Sequence, residues 1–167
     1  MRREVLTWND VDKLVDHLLP QFEHEFEAMV MVTHGGIIPG GMLAQAMRIS
    51  IVLTAAVDFP AEMENEQNRL WAWPKFLQFP EGEILRGKRV LVVDDVWGSG
   101  RTITAVKNRI SGSAAVPYTC VLHFNPYRSL FSNAKPDYYA AITDAFIVYP
   151  WEIDRGPDRV LLQEPNL

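Results

Sequence analysis

Apolar positions early in the chain fall on one helical face. Val11, Leu14, Val15, Leu18, Leu19 and Phe22 recur at the three- and four-residue spacing of an amphipathic helix. Thr7, with Asp10 three residues on, gives that helix a capped start, and Pro20 kinks or ends it. The period then changes. Ala28-Met29-Val30-Met31-Val32 is unbroken apolar sequence closing on Thr33-His34-Gly35-Gly36, which predicts a buried strand entering a glycine-rich turn. A helix fits residues 40–47, and residues 49–53 read as the next strand. Residues 90–93, all β-branched or leucine, predict a central parallel strand. Thr102, Ile103, Val106 and Ile110 give another helical face, and residues 117–123 and 146–149 are further strand candidates. Strand, glycine-rich turn, helix, strand is the grammar of an α/β fold, here a doubly wound sheet of mainly parallel strands.

One stretch breaks this pattern. Residues 58–82 carry Pro60, Pro74 and Pro80, the acids Glu62, Glu64 and Glu66, and Trp71 and Trp73, with no clean period. A segment of that length and aromatic content reads as a flexible flap.

Composition narrows the class. With 167 residues, the chain is expected to form a single domain over 1–167. Hydrophobic residues make up 48% and charged residues 22%, a globular balance. Sixteen basic against 21 acidic residues leave a net charge of −5, so neither nucleic acid nor an anionic membrane is expected as partner. Cys120 is the one cysteine, excluding an intramolecular disulfide and favouring a reducing, cytoplasmic home, where a buried thiol is expected. No signal peptide is evident, and the longest nearly apolar run, 49–57, is too short to span a membrane.

The chemistry concentrates after residue 93. An apolar strand that ends in two acids, Asp94 and Asp95, is unusual, because charged residues belong outside a core. At the carboxyl end of a parallel strand, however, they stand in the crevice where open α/β sheets bind ligands. Gly98-Ser99-Gly100-Arg101-Thr102 follows, with backbone N–H groups, two hydroxyls and a helix start that together suit a phosphate. Carboxylates suit sugar hydroxyls or Mg²⁺. A sugar phosphate satisfies both halves. No Lys-Ser or Lys-Thr occurs, so a P-loop is excluded, and the dinucleotide fingerprint lacks its third glycine, where Ile103 stands.

Val90-Leu91-Val92-Val93-Asp94-Asp95-Val96-Trp97-Gly98-Ser99-Gly100-Arg101-Thr102 resembles the signature of the type I phosphoribosyltransferases, which bind phosphoribosyl pyrophosphate (PRPP). The resemblance implies that Asp94 and Asp95 are the catalytic acids holding the ribose hydroxyls. Asp95, or Asp94 with it, would bind Mg²⁺, and Gly98, Ser99, Gly100, Arg101 and Thr102 would cradle the ribose phosphate. Thr33-His34-Gly35-Gly36-Ile37-Ile38-Pro39-Gly40 is similar to the family's pyrophosphate loop, which assigns His34, Gly35 and Gly36 to the leaving group. Phe146-Ile147-Val148-Tyr149-Pro150-Trp151-Glu152 resembles the base-binding hood of the xanthine–guanine and hypoxanthine enzymes, spanning about residues 124–155 here. In that likeness Phe146 stacks on the purine, Ile147 reads its edge, Val96 packs its other face and Asn125 meets its exocyclic group. The implied activity is transfer of ribose phosphate from PRPP to hypoxanthine, guanine or xanthine in nucleotide salvage, with release of pyrophosphate. The implied assembly is a homodimer or homotetramer.

Three positions depart from that pattern. Gly98 stands where the 6-oxopurine enzymes usually carry an aspartate, Asn125 where they carry a lysine, and His34 where an arginine or lysine is usual. An amide offers both donor and acceptor, so Asn125 is compatible with either an oxo or an amino group. Gly98 and His34 leave open a second reading, a PRPP- or nucleotide-binding regulator on the same fold.

Overall fold

Side-chain alternation in the central strands sets the layering of the molecule. The computed structural model of the chain describes residues 2–59 and 73–153. Its main strands are β2 (Ala28–Val32), β3 (Ile51–Asp58), β4 (Lys75–Gln78), β5 (Arg89–Trp97), β6 (Val116–Phe124) and β7 (Tyr138–Ile142). They form one sheet in the order β4-β3-β2-β5-β6-β7, parallel throughout except where β3 meets β4. Met29, Leu91, Val93, Cys120 and Leu122 face one layer, under helices α1 (Trp8–Leu18) and α2 (Ile37–Met47). Val30, Val32, Val90, Val92 and Val121 face the other, packed with Ile103, Val106 and Ile110. Those three residues belong to α4 (Arg101–Gly112), which follows a short α3 (Gly82–Leu85). This is the doubly wound, mainly parallel sheet that the apolar runs predict. Cys120 is fully buried, and burial pushes its thiol pKa up, as suits an inert core residue.

The capping prediction at Thr7 holds. Asp10 N–H donates to the Thr7 hydroxyl at 3.2 Å, and the Asp10 carboxylate accepts from Thr7 N–H at 2.8 Å. Helix α1 stops at Leu18, and Pro20 falls in a 3₁₀ turn, Leu19–Gln21.

Other bounds differ from the pattern. Helix α2 begins at Ile37 rather than 40, because Pro39 falls in its first turn, where no intrahelical N–H is needed. Arg48, at φ 57°, closes that helix, so β3 starts at Ile51 and runs on to Asp58. Within the stretch expected to be irregular, Lys75–Gln78 is an edge strand, paired antiparallel to β3. Residues 60–72 of that expected flap lie outside the described residues. The strand at residue 146 leaves the main sheet altogether. As β8 (Phe146–Val148) it pairs in parallel with β1 (Arg3–Val5), which the apolar pattern did not announce. Among the described residues no helix is long and apolar enough to cross a membrane.

Candidate active site

Strand β5 does not stop before its acids; it carries both of them in its last turns of pleat and ends at Trp97. Asp95 is 9% exposed and Asp94 half-buried. Asp95 N–H donates to the Asp94 carboxylate at 3.0 Å, and Val96 N–H donates to the Asp95 carboxylate at 2.6 Å. Burial, then the Asp95 charge beside it, push the Asp94 carboxyl well above the usual carboxylate range. Burial pushes Asp95 up to about 6, against the Val96 bond and with help from the charge of Glu152. Among the described residues neither acid makes an ion pair. Both shifts mark a low-dielectric crevice that resists ionisation of the pair until a cation enters, and that strongly favours such a cation.

The glycine-rich turn after β2 closes on this pair. A Cβ at Gly35 would stand 2.5 Å from the Asp95 carboxylate, and one at Gly36 would collide with the Val93 carbonyl and the Val32 backbone. Only glycines let the turn lie against the end of β5. Two segments sixty residues apart, as the resemblance implies, therefore share one crevice. His34 belongs to the same turn: its side chain is exposed, and its carbonyl accepts from Ile37 N–H at 3.1 Å.

On the other side, Gly100 takes φ 78° and caps α4 without a side-chain bond of its own. Ser99 and Thr102 flank it, Ser99 exposed and accepting from Arg101 N–H at 3.4 Å. Leu130 N–H ties the Ser99 carbonyl down at 3.0 Å, and Trp97 Nε1 bonds Ser129 at 3.2 Å. The Arg101 guanidinium lies over the Phe59 ring, 4.0 Å from its centre.

All four residues expected at the base come together. Val96, Asn125, Phe146 and Ile147 line one cavity of about 100 Å³ with Asp95 and Gly98. Phe146 is 42% exposed, so its ring is available for stacking, while Ile147 is buried. A Cβ at Gly98 would meet open space, so glycine there is not a steric demand.

The sequence missed four members: Arg128, Ala145, Tyr149 and Glu152. Tyr149 matters most. Its hydroxyl donates to the Asp95 carbonyl at 3.0 Å, which leaves its oxygen to accept from Nδ1–H of His123 at 2.8 Å. The chain fixes the neutral tautomer of a buried histidine whose pKa burial lowers to about 4. It also ties the hood to the main chain of the acid pair. Stacking of Tyr149 on Trp151, 4.6 Å apart and 5° from parallel, stiffens the same segment. An aromatic one residue past the end of β8 carried no signal for this.

Among the described residues no group of three metal-binding side chains occurs. The donor set instead suits Mg²⁺, which commonly takes one or two carboxylates and fills its shell with water and substrate phosphate. Asp94 and Asp95 each keep an oxygen beyond the backbone bonds given above, so they are the residues that fit it.

Residues 4–152 match the family described as phosphoribosyl transferase domain. The chain is 33% identical over 102 residues to an adenine phosphoribosyltransferase of Saccharopolyspora erythraea, a match spanning 59% of this chain and 56% of that one. It is 26% identical over 154 residues to a xanthine-guanine phosphoribosyltransferase of Gluconobacter oxydans, covering 88% and 83% of the two chains. The crystal structure of a purine phosphoribosyltransferase from Pyrococcus horikoshii superposes with a TM-score of 0.79 at 26% identity, over 93% of this chain and 98% of that one.

Proposed function

The chain belongs to the phosphoribosyl transferase domain family, and on that premise we propose that it moves the ribose phosphate of PRPP onto a purine, with hypoxanthine, guanine and xanthine as the bases, for nucleotide salvage. The observation that carries this reading is the convergence at one crevice of the acid pair, the Gly35–Gly36 turn, the start of α4 and the hood cavity.

In the reaction a ring nitrogen of the base forms a bond to the anomeric carbon while the bond from that carbon to pyrophosphate breaks. The pyrophosphate leaves with the electron pair, and the base gives up a proton. Bond breaking runs ahead, so positive charge develops on the ribose. Asp94 and Asp95, when ionised in this low-dielectric crevice, stabilise that charge more than they would in water. The Gly35 amide meets the leaving group, that of Gly36 being taken by the Val32 carbonyl at 2.8 Å, and the helix start at Gly100 holds the ribose phosphate. Phe146 and Val96 position the base between them. Mg²⁺, when bound at Asp94 and Asp95, supplies neutralisation of the departing pyrophosphate.

The test is incubation with PRPP, Mg²⁺ and each common base, with nucleotide and pyrophosphate as the readout. Formation of a purine nucleotide is expected. PRPP bound but consumed with no base would instead favour the regulator reading, to which Gly98 and His34 point.

A further inference from the structure

The proposed reaction leaves one proton to place. A ring nitrogen that bonds to the anomeric carbon makes the base a cation unless a proton leaves, and the group that takes it must reach the base. Among the described residues, the polar side chains lining the hood cavity are Asp95, Asn125, Arg128, Tyr149 and Glu152. Three of these are no proton acceptors. A carboxamide is not a base at neutral pH, and a guanidinium stays protonated. The Tyr149 hydroxyl keeps its proton on the Asp95 carbonyl at 3.0 Å, and burial pushes its pKa well above the ordinary phenol range. Gly98, on the same cavity, brings no side chain at all.

Two carboxylates remain, and their surroundings differ. Asp95 is 9% exposed, already accepts from Val96 N–H at 2.6 Å, and is one of the acids that fit the ribose and Mg²⁺. A carboxylate spent on a metal ion is a poor proton acceptor, and a buried one has little water to hand a proton to. Glu152 is exposed at the edge of the cavity, so a proton taken there passes on to solvent. Its position is fixed by a tight turn directly after β8. Glu152 N–H donates to the Tyr149 carbonyl at 3.0 Å, and Tyr149 N–H donates to the Glu152 carboxylate at 2.8 Å. Pro150 takes the second place of that turn, where its fixed φ fits, and Trp151 is held by its stack on Tyr149. The charge of Glu152 is also felt at Asp95, whose pKa it helps to raise, as two carboxylates on one cavity should.

We infer that Glu152 is a further catalytic residue, the general base that takes the proton of the incoming purine. The inference rests on the transfer reaction proposed above. The lone pair of the ring nitrogen forms the bond to the anomeric carbon as the bond from that carbon to pyrophosphate breaks, its electrons leaving with pyrophosphate. The N–H bond of the base breaks with its electrons returning to the ring. The proton goes to a carboxylate oxygen of Glu152 and from there to water. The ribose cation stays the business of the acid pair, and the proton is the business of the hood.

The test follows a single turnover of the whole protein with PRPP and Mg²⁺, so that product release does not mask the chemical step. Two bases are compared: hypoxanthine, and 8-azahypoxanthine, whose additional ring nitrogen makes its N–H more acidic and lowers its need for a base. Glu152→Gln keeps an acceptor for Tyr149 N–H, and with it the turn, but takes no proton. With hypoxanthine it should slow the turnover by about 10²-fold and leave the half-saturating PRPP concentration within about threefold. With 8-azahypoxanthine the loss should be at least about fivefold smaller. An unchanged rate, equal losses for the two bases, or a raised PRPP requirement at an unchanged rate overturns the inference and leaves the transfer reading standing. A native protein that forms no nucleotide from either base overturns both.

Discussion

The carboxyl end of β5 and the hood line the same crevice, yet they are put together differently. Asp94 through Thr102 is continuous sequence, strand into turn into helix, and its geometry follows from neighbours along the chain. The hood is gathered from Val96, Gly98, Asn125, Arg128 and residues 145–152, and its strand is held by β1 at the other end of the chain. The first region supplies charge at a fixed point. The second supplies a shaped cavity and hydrogen bonds. The account therefore divides the work, with the chemistry of the ribose at the acids and the handling of the base in the hood.

The division breaks most severely at the acids. Asp95→Ala should lower phosphoribosyl transfer by about 10²–10³-fold in kcat, through loss of charge beside the ribose. A variant with full transferase activity would remove the acid pair from the reaction. Phe146→Ala should act on the other half alone, raising KM for the base roughly tenfold by loss of stacking and leaving KM for PRPP within about twofold. A matching rise for PRPP would show that the two regions are not separable at the ring.

The smallest effect sits on the link between them. Burial holds the pKa of His123 at about 4, below its unfolded value of 6.5. The folded protein then binds fewer protons, so this contribution is full above pH 6.5 and lost as pH falls toward 4. Wild type should lose about 2 kcal/mol more unfolding free energy than His123→Asn between pH 7 and pH 4.5 in urea titrations. The variant comparison removes the opposite contribution of Asp94 and Asp95, whose raised pKa values favour the folded state as the solution acidifies. Equal losses in the two proteins would place His123 in a wetter environment than the Tyr149 contact implies.

Legibility followed the same division. The main sheet was readable wherever apolar runs were continuous, as at Val30 and Val92, because burial on both faces leaves no polar position to blur the period. The acid pair and phosphate turn were readable because their residue types conflict with burial unless a ligand is nearby. Lys75–Gln78 and Tyr138–Ile142 escaped, being edge strands with mixed exposure and no clean alternation. The β1–β8 pairing escaped because it depends on which remote segments the topology brings together. Tyr149 could be named only once the fold had set its hydroxyl at the Asp95 carbonyl. Asn125 lies between these cases. Asn-Pro favours a turn in which the side chain bonds the backbone two residues on, so the direction of its amide was written in the sequence but open until Tyr127 N–H was seen to hold it.

The central claim is tested most directly by following pyrophosphate and nucleotide together in one reaction with PRPP, Mg²⁺ and hypoxanthine. The account predicts that the two products appear in equal amounts and that neither forms without the base. Pyrophosphate release with no nucleotide, or PRPP bound and left intact with every purine tried, would contradict it.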